Sequence, residues 1–175
     1  MKYDITIYEP QKTNPNFRFI LGTDGVKPLL IIGLNPSTAD DMKPDMTISK
    51  VMGFATRHSC DSFIMFNLYA QRTPDPDKLH LILDEQLHKE NISHILTMIE
   101  KYKDISILAG WGGTFTVRDY FKKCLADIYN KTKFKEVKWL TIGLTQSGHP
   151  RHPSRAAYTD LSNFDIEAYL NNIIP

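Results

Sequence analysis

The densest set of reactive side chains in the sequence is His149-Pro150-Arg151-His152-Pro153-Ser154. Two histidines and an arginine bracketed by prolines make a stiff, pre-shaped cationic loop. Arg151 suits a phosphate or carboxylate through two parallel hydrogen bonds. A histidine there can stabilise negative charge or carry a proton near neutral pH. His149-x-x-His152 also has the spacing of a metal-ligand pair. No glutamate completes the metalloprotease pattern and no cysteine cluster joins it, so neither a metal nor another cofactor is expected.

Three more stretches offer chemistry. Asn35 and Asn67 each close an apolar run, and a carboxamide has both a donor and an acceptor with which to pair the edge of a nucleobase. Each asparagine alone is more often a turn former; two at corresponding places add weight to a shared role without outweighing that reading. Pro36-Ser37-Thr38 presents backbone amides and hydroxyls able to hold a phosphate, although the spacing matches no Walker motif. Arg72 follows Asn67 in a proline-rich loop. Gly110-Trp111-Gly112-Gly113 lets a ligand or a second loop approach the backbone closely. Trp111 offers a stacking face for a base, but a tryptophan after a strand is more often core or a lid. No Gly-x-Ser-x-Gly elbow argues for a hydrolase triad. Cys60 and Cys124 read as packing residues.

These residues need elements to bring them together. Leu29-Leu30-Ile31-Ile32-Gly33-Leu34 is a short apolar run ending at Asn35-Pro36-Ser37, the pattern of a buried parallel strand. Ser62 to Leu68 is a second such strand, Ile105 to Ala109 a third and Val137 to Leu144 a fourth. Asp45 or Thr47 caps a helix ending near His58, and Asp84 starts a long helix that turns Leu87, Ile95, Ile99 and Tyr102 inward. Thr114 or Thr116 caps a helix through about Tyr129, and Asp165 caps the last one. Tyr3–Tyr8 and Phe17–Leu21 read as an N-terminal β-hairpin around a turn-rich link, Glu9 to Asn16. Alternating strands and helices predict a three-layer α/β/α sandwich: a central, mostly parallel four-stranded sheet plus the hairpin, in one domain over 1–175. In such sheets ligands bind beyond the carboxyl ends of the strands, where all four polar stretches then meet.

The bulk numbers agree. A chain of 175 residues with 42% hydrophobic and 23% charged residues is an ordinary globular domain. No apolar run reaches the roughly 20 residues of a membrane span. The N-terminus lacks the apolar core of a signal peptide, and two cysteines suit a reducing compartment, so a cytoplasmic protein without a membrane partner is expected. A formal charge of +1 excludes a strongly basic, nonspecific nucleic-acid binder. The local crowd of Arg118, Lys122, Lys123, Lys131, Lys133, Lys135 and Lys138 reads as a solvated face.

The polar stretches resemble the DUF1643 family, a domain of unknown function. The resemblance runs through Leu34-Asn35-Pro36-Ser37-Thr38-Ala39-Asp40, Asp45-x-Thr47 and Asn67-Leu68-Tyr69-Ala70-x-Arg72-x-x-Asp75, then Ala109-Gly110-Trp111-Gly112 and Leu144-Thr145-x-x-Gly148-x-Pro150-Arg151-His152-Pro153. That family usually has a leucine-tyrosine pair after His-Pro, where this chain has Ser154-Arg155. More distantly, the layout is similar to the uracil-DNA glycosylase superfamily. Gly33-Leu34-Asn35-Pro36 stands for its first motif, Asn67 for its base-reading asparagine, Arg72-Thr73-Pro74 for a loop present in several branches, and His152-Pro153-Ser154 for its last motif. His149-Pro150 is a second register for that last motif.

This second resemblance implies a nucleobase pocket and hydrolysis of an N-glycosidic bond. Asn35 would position water, and His152 would stabilise the departing base anion. Ser37, Thr38, Asn67, Arg72, Trp111, His149 and Arg151 would bind the substrate: a nucleobase, a nucleotide or nucleic acid. The site loop carries Arg151 and Arg155 where such branches often place an apolar wedge for base flipping. The alternatives are a module that binds a nucleotide or single-stranded nucleic acid without cleaving it, and a partner-binding protein whose loops only brace the sheet.

Overall fold

Leu29 to Ile32 are buried on both sides, because the strand they form lies in the middle of the molecule. The computed structural model describes residues 1–10 and 14–173. Among these, seven strands form one sheet: β1 (Ile7–Glu9), β2 (Ile20–Gly22), β3 (Pro28–Gly33), β4 (Ser62–Asn67), β5 (Ser106–Ala109), β6 (Lys138–Thr141) and β7 (Ser162–Asn163). Their order across the sheet is β1-β2-β4-β3-β5-β6-β7. The inner strands β4, β3, β5 and β6 run parallel, and the flanking pairs are antiparallel.

Alternation along β3 assigns its side chains to two cores. Leu30 and Ile32 join a cluster with Ile95, Ile99, Phe121, Leu125 and Leu170. These come from α2 (Glu85–Lys101), α3 (Tyr120–Thr132) and α4 (Ile166–Ile173). Leu29 and Ile31 join Ile48, Val51 and Phe54 of α1 (Met46–Arg57) on the other face. No helix among the described residues is long and apolar enough to cross a membrane.

The structure widens the expected sheet from four strands to seven. The N-terminal hairpin forms as β1 and β2, but it is not separate: Leu21 pairs with Met65 and Gly22 with Ile64, which makes β2 a neighbour of β4. A Cβ on Gly22 would lie 2.5 Å from the Phe63 carbonyl oxygen, so only glycine permits that approach. Gln11, Lys12 and Thr13 of the expected link lie outside the described residues. β6 stops at Thr141, three residues short of the expected end, where the Thr141 hydroxyl takes the Gly143 amide and begins a turn.

Asp45 and Asp84 cap α1 and α2 as the sequence predicts, accepting from the Ile48 amide and from the Gln86 and Leu87 amides. Tyr102 ends α2 half-buried, packed against the core as expected, and its hydroxyl donates to Asp24. The helix expected from Thr114 or Thr116 is instead a 3-10 turn, Gly113–Val117, followed by α3 after Asp119. Phe115 explains the break: it is buried at the turn against Trp111 and Phe121, which fixes a tighter path than an α-helix follows.

Candidate functional site

The inner strands are parallel, so their carboxyl ends share one edge. The chain leaves β3 toward α1 on one face, and leaves β4 and β5 toward α2 and α3 on the other. The loops part above the end of β3, and a cleft of about 490 Å³ opens there. That volume suits a small organic ligand. Asn35, Ser37, Asn67 and His152 line it together. Thr38, Arg72, Trp111, His149 and Arg151 do not.

Asn67 is 1% exposed at the end of β4. Its amide nitrogen belongs beside the Phe66 and Asn35 carbonyl oxygens, 3.3 and 3.2 Å away, because an oxygen there would face only acceptors. That orientation turns the carboxamide oxygen away from those carbonyls, as an acceptor. Behind it, Asn91 on α2 donates to the Asn67 carbonyl at 2.9 Å. Gly33 makes the room: a Cβ there would lie 2.8 Å from the Asn67 carboxamide and 2.5 Å from Met65 Cε.

Asn35 uses its amide nitrogen to hold the loop after β4, donating to Thr73 O at 2.8 Å and Pro36 O at 3.0 Å. Its Oδ1 stays available. Arg72 is a clamp. Its guanidinium donates to the carbonyls of Ser37 (2.8 Å), Thr38 (3.2 Å) and Ala39 (2.9 Å) and to the Tyr8 hydroxyl (3.1 Å). It therefore fixes the loop that presents Ser37, while Thr38 faces solvent.

His152 receives the Ser154 amide at Nδ1, 3.3 Å away. Nδ1 is then the acceptor, and a neutral ring carries its proton on Nε2. Burial pushes the His152 pKa below 6.5, and the Asp45 carboxylate pulls the other way. The Gly110–Gly113 loop braces this ring. Gly112 sits at φ +75° with its amide on Pro150 O at 3.0 Å, and a Cβ there would lie 3.0 Å from His152 Cβ.

Trp111 turns the other way. It is fully buried against Phe115, Trp139, Phe164 and Tyr169, so it offers no stacking face to the cleft. His149 is 7% exposed in the same core. Trp111 Nε1 donates to the Tyr169 hydroxyl at 3.2 Å, and that hydroxyl lies 2.7 Å from His149 Nδ1. An indole can only donate, so the Tyr169 oxygen accepts from it and its own proton is free to go to Nδ1; burial lowers the His149 pKa, which favours the neutral ring. Arg151 is exposed and donates to Leu144 O at 2.9 Å. The two histidines thus face different surroundings, and among the described residues no group of three or more His, Cys, Asp or Glu side chains is gathered to hold a metal.

Both rings tie stability to pH. Burial lowers both pKa values below 6.5, so folding favours the neutral rings. As pH falls through 6.5 the unfolded chain takes up these protons first, and stability is lost. The melting temperature is expected to drop between pH 7.5 and 5.5, above the range where carboxylates titrate. His149→Gln should melt lower at pH 7.5 and show a shallower pH slope. An equal slope in wild type and variant would refute the assignment.

The sequence reading gave no ligand-binding role to Arg18, Asp45, Thr47, Thr73 or Thr114, which line the cleft, whereas Gly113 and Arg155, both placed in the site loops, line it as well. Asp45 was read as a helix cap and as part of the Asp45-x-Thr47 family motif; it is both cap and cleft wall, through a half-buried carboxylate. Arg18 was not singled out, because it lies inside the apolar run Phe17–Leu21. It is 2% exposed, and burial lowers its pKa to about 10, which leaves it charged at neutral pH.

No curated protein and no solved structure matches this chain. The family described as "Protein of unknown function (DUF1643)" matches residues 18–154, a span that begins at Arg18 and ends just past His152. That match covers well over half of the chain and every polar stretch described above, and the chain belongs to the DUF1643 family.

Proposed function

We propose that the cleft binds a nucleobase or nucleotide and that the chain hydrolyses its N-glycosidic bond, on a fold related to the uracil-DNA glycosylase superfamily. The observation that carries this reading is the meeting of Asn35, Asn67 and His152 at one cleft of about 490 Å³ from three separate parts of the chain. Asn67 Oδ1 accepts from the edge of the base, held rigid by Asn91 and by the bare backbone of Gly33. His152 Nε2–H donates to a base carbonyl oxygen as charge develops there.

Water attacks the anomeric carbon. The C–N bond breaks, its electron pair moves onto the base, and the water's proton needs an acceptor. Asparagine is no base, so Asn35 Oδ1 can only orient that water. The Asp45 carboxylate lines the same cleft and takes the proton; its Oδ1 is engaged by the Ile48 amide.

The test is base release from nucleosides, nucleotides and single- and double-stranded oligonucleotides, followed by chromatography. His152→Ala is expected to lower the release rate about 100-fold. Asp45→Asn keeps the helix cap and removes the base, so it should lose turnover while remaining folded. Release untouched in both His152→Ala and Asn35→Ala would end the proposal. Salt-dependent binding with no released base would replace it with a non-catalytic binding module.

A further inference from the structure

Arg18 is the least expected residue of the cleft. Buried charges in proteins are paired, because stripping water from an ion costs several kcal/mol. Among the described residues no carboxylate forms an ion pair with Arg18. Its Nη1 donates to Ala39 O. Nε is sealed from solvent without any partner. Among the described residues Nη2 has no partner either, yet it is not sealed. Nη2 is therefore the charged donor that Arg18 leaves open to the cleft, with the unspent Nε–H enclosed behind it.

Charge around this donor favours an anion. Arg72 donates to the same Ala39 carbonyl and repels Arg18, and Arg155 lines the cleft as an exposed cation. Against these stands Asp45, the only carboxylate lining the cleft among the described residues. The Tyr3 and Tyr8 hydroxyls lie close.

We propose that Arg18, through its open Nη2, is a phosphate site, so that the cleft takes a phosphorylated ligand rather than a bare base or nucleoside. This deepens the reading above, but it stands on Arg18 and is tested apart from it. The phosphate is either the monoester of a free nucleotide or a diester of a nucleic-acid backbone; both present the same pair of oxygens.

Binding is measured by calorimetry with inorganic phosphate, a nucleoside, its 5′-monophosphate and a short single-stranded oligonucleotide lacking terminal phosphates. Wild type should bind phosphate, and the monophosphate at least about 10-fold more tightly than the nucleoside. Arg18→Lys keeps the charge but removes the planar Nη2 donor that faces the cleft, and should erase that preference. Asp45→Asn keeps its cap and should tighten phosphate binding by removing a repelling charge, which tests the site even if Arg18→Lys fails to fold. Arg18-dependent binding of the oligonucleotide assigns the phosphate to a backbone; dependence confined to the monophosphate assigns it to a free nucleotide. Nucleoside bound as tightly as monophosphate overturns the phosphate site and leaves base recognition standing. Phosphate bound through Arg18 with no affinity for any nucleoside upholds the site and removes the base from the cleft. Phosphate affinity unchanged in both variants overturns the proposal.

Discussion

Replacing Trp111 by alanine is expected to destabilise the protein by about 3–5 kcal/mol, the cost of emptying a large aromatic site. The indole is fully buried and packs against four aromatic rings, so its removal leaves a cavity that rigid neighbours cannot close. The loss also reaches the chain Trp111–Tyr169–His149 by removing its first donor. Trp111 sits between Gly110 and Gly112, which touch Pro153 and His152, so the cleft wall should loosen with the core. Thermal unfolding should show the melting temperature fall by roughly 10 °C. A fall under about 2 °C would mean that the site collapses around the gap and that the packing account is wrong.

Arg72→Ala is the second large effect. Arg72 makes four hydrogen bonds, three to consecutive backbone carbonyls and one to Tyr8. Bonds from a charged donor each contribute about 1.5–3 kcal/mol, but carbonyls near the surface regain water when the donor is lost. The expected net cost is about 2–4 kcal/mol, read as a lower urea midpoint at unchanged slope. Arg72→Lys should recover only part of it, because an ammonium cannot span three carbonyls. Ser37 should lose its fixed position, so ligand binding in the cleft should weaken with stability. Full recovery by lysine would show that charge, rather than the fork, holds the loop.

The parts of this molecule that sequence made legible are those whose residue types answer to local physics. β3 and β4 are continuous apolar runs because both faces are covered, and their ends fall where the runs stop. α1 and α2 begin at aspartates whose side chains cap them. Elements defined by a neighbour were not legible. β7 is two exposed polar residues and exists only by pairing with β6. In the 149–154 loop the two histidines look equivalent, yet Tyr169, twenty residues on, draws His149 into the core and leaves His152 at the cleft. Arg18 was hidden for the opposite reason: its sequence surroundings are those of a strand core, and only the folded cleft gives a buried cation its purpose.

The order of the inner strands bears on how the molecule comes to exist. β3 is made early, but its neighbour β5 follows some seventy residues later and β6 later still. A nascent chain that has not yet emitted residue 138 has nothing to cover the outer side of Ser106–Ala109, an apolar ladder that any other polypeptide could extend. In that interval Asn35 and Asn67 have been made but His152 has not. One stretch, from β6 to His152, therefore supplies both the cover for the open side of β5 and the last wall of the cleft.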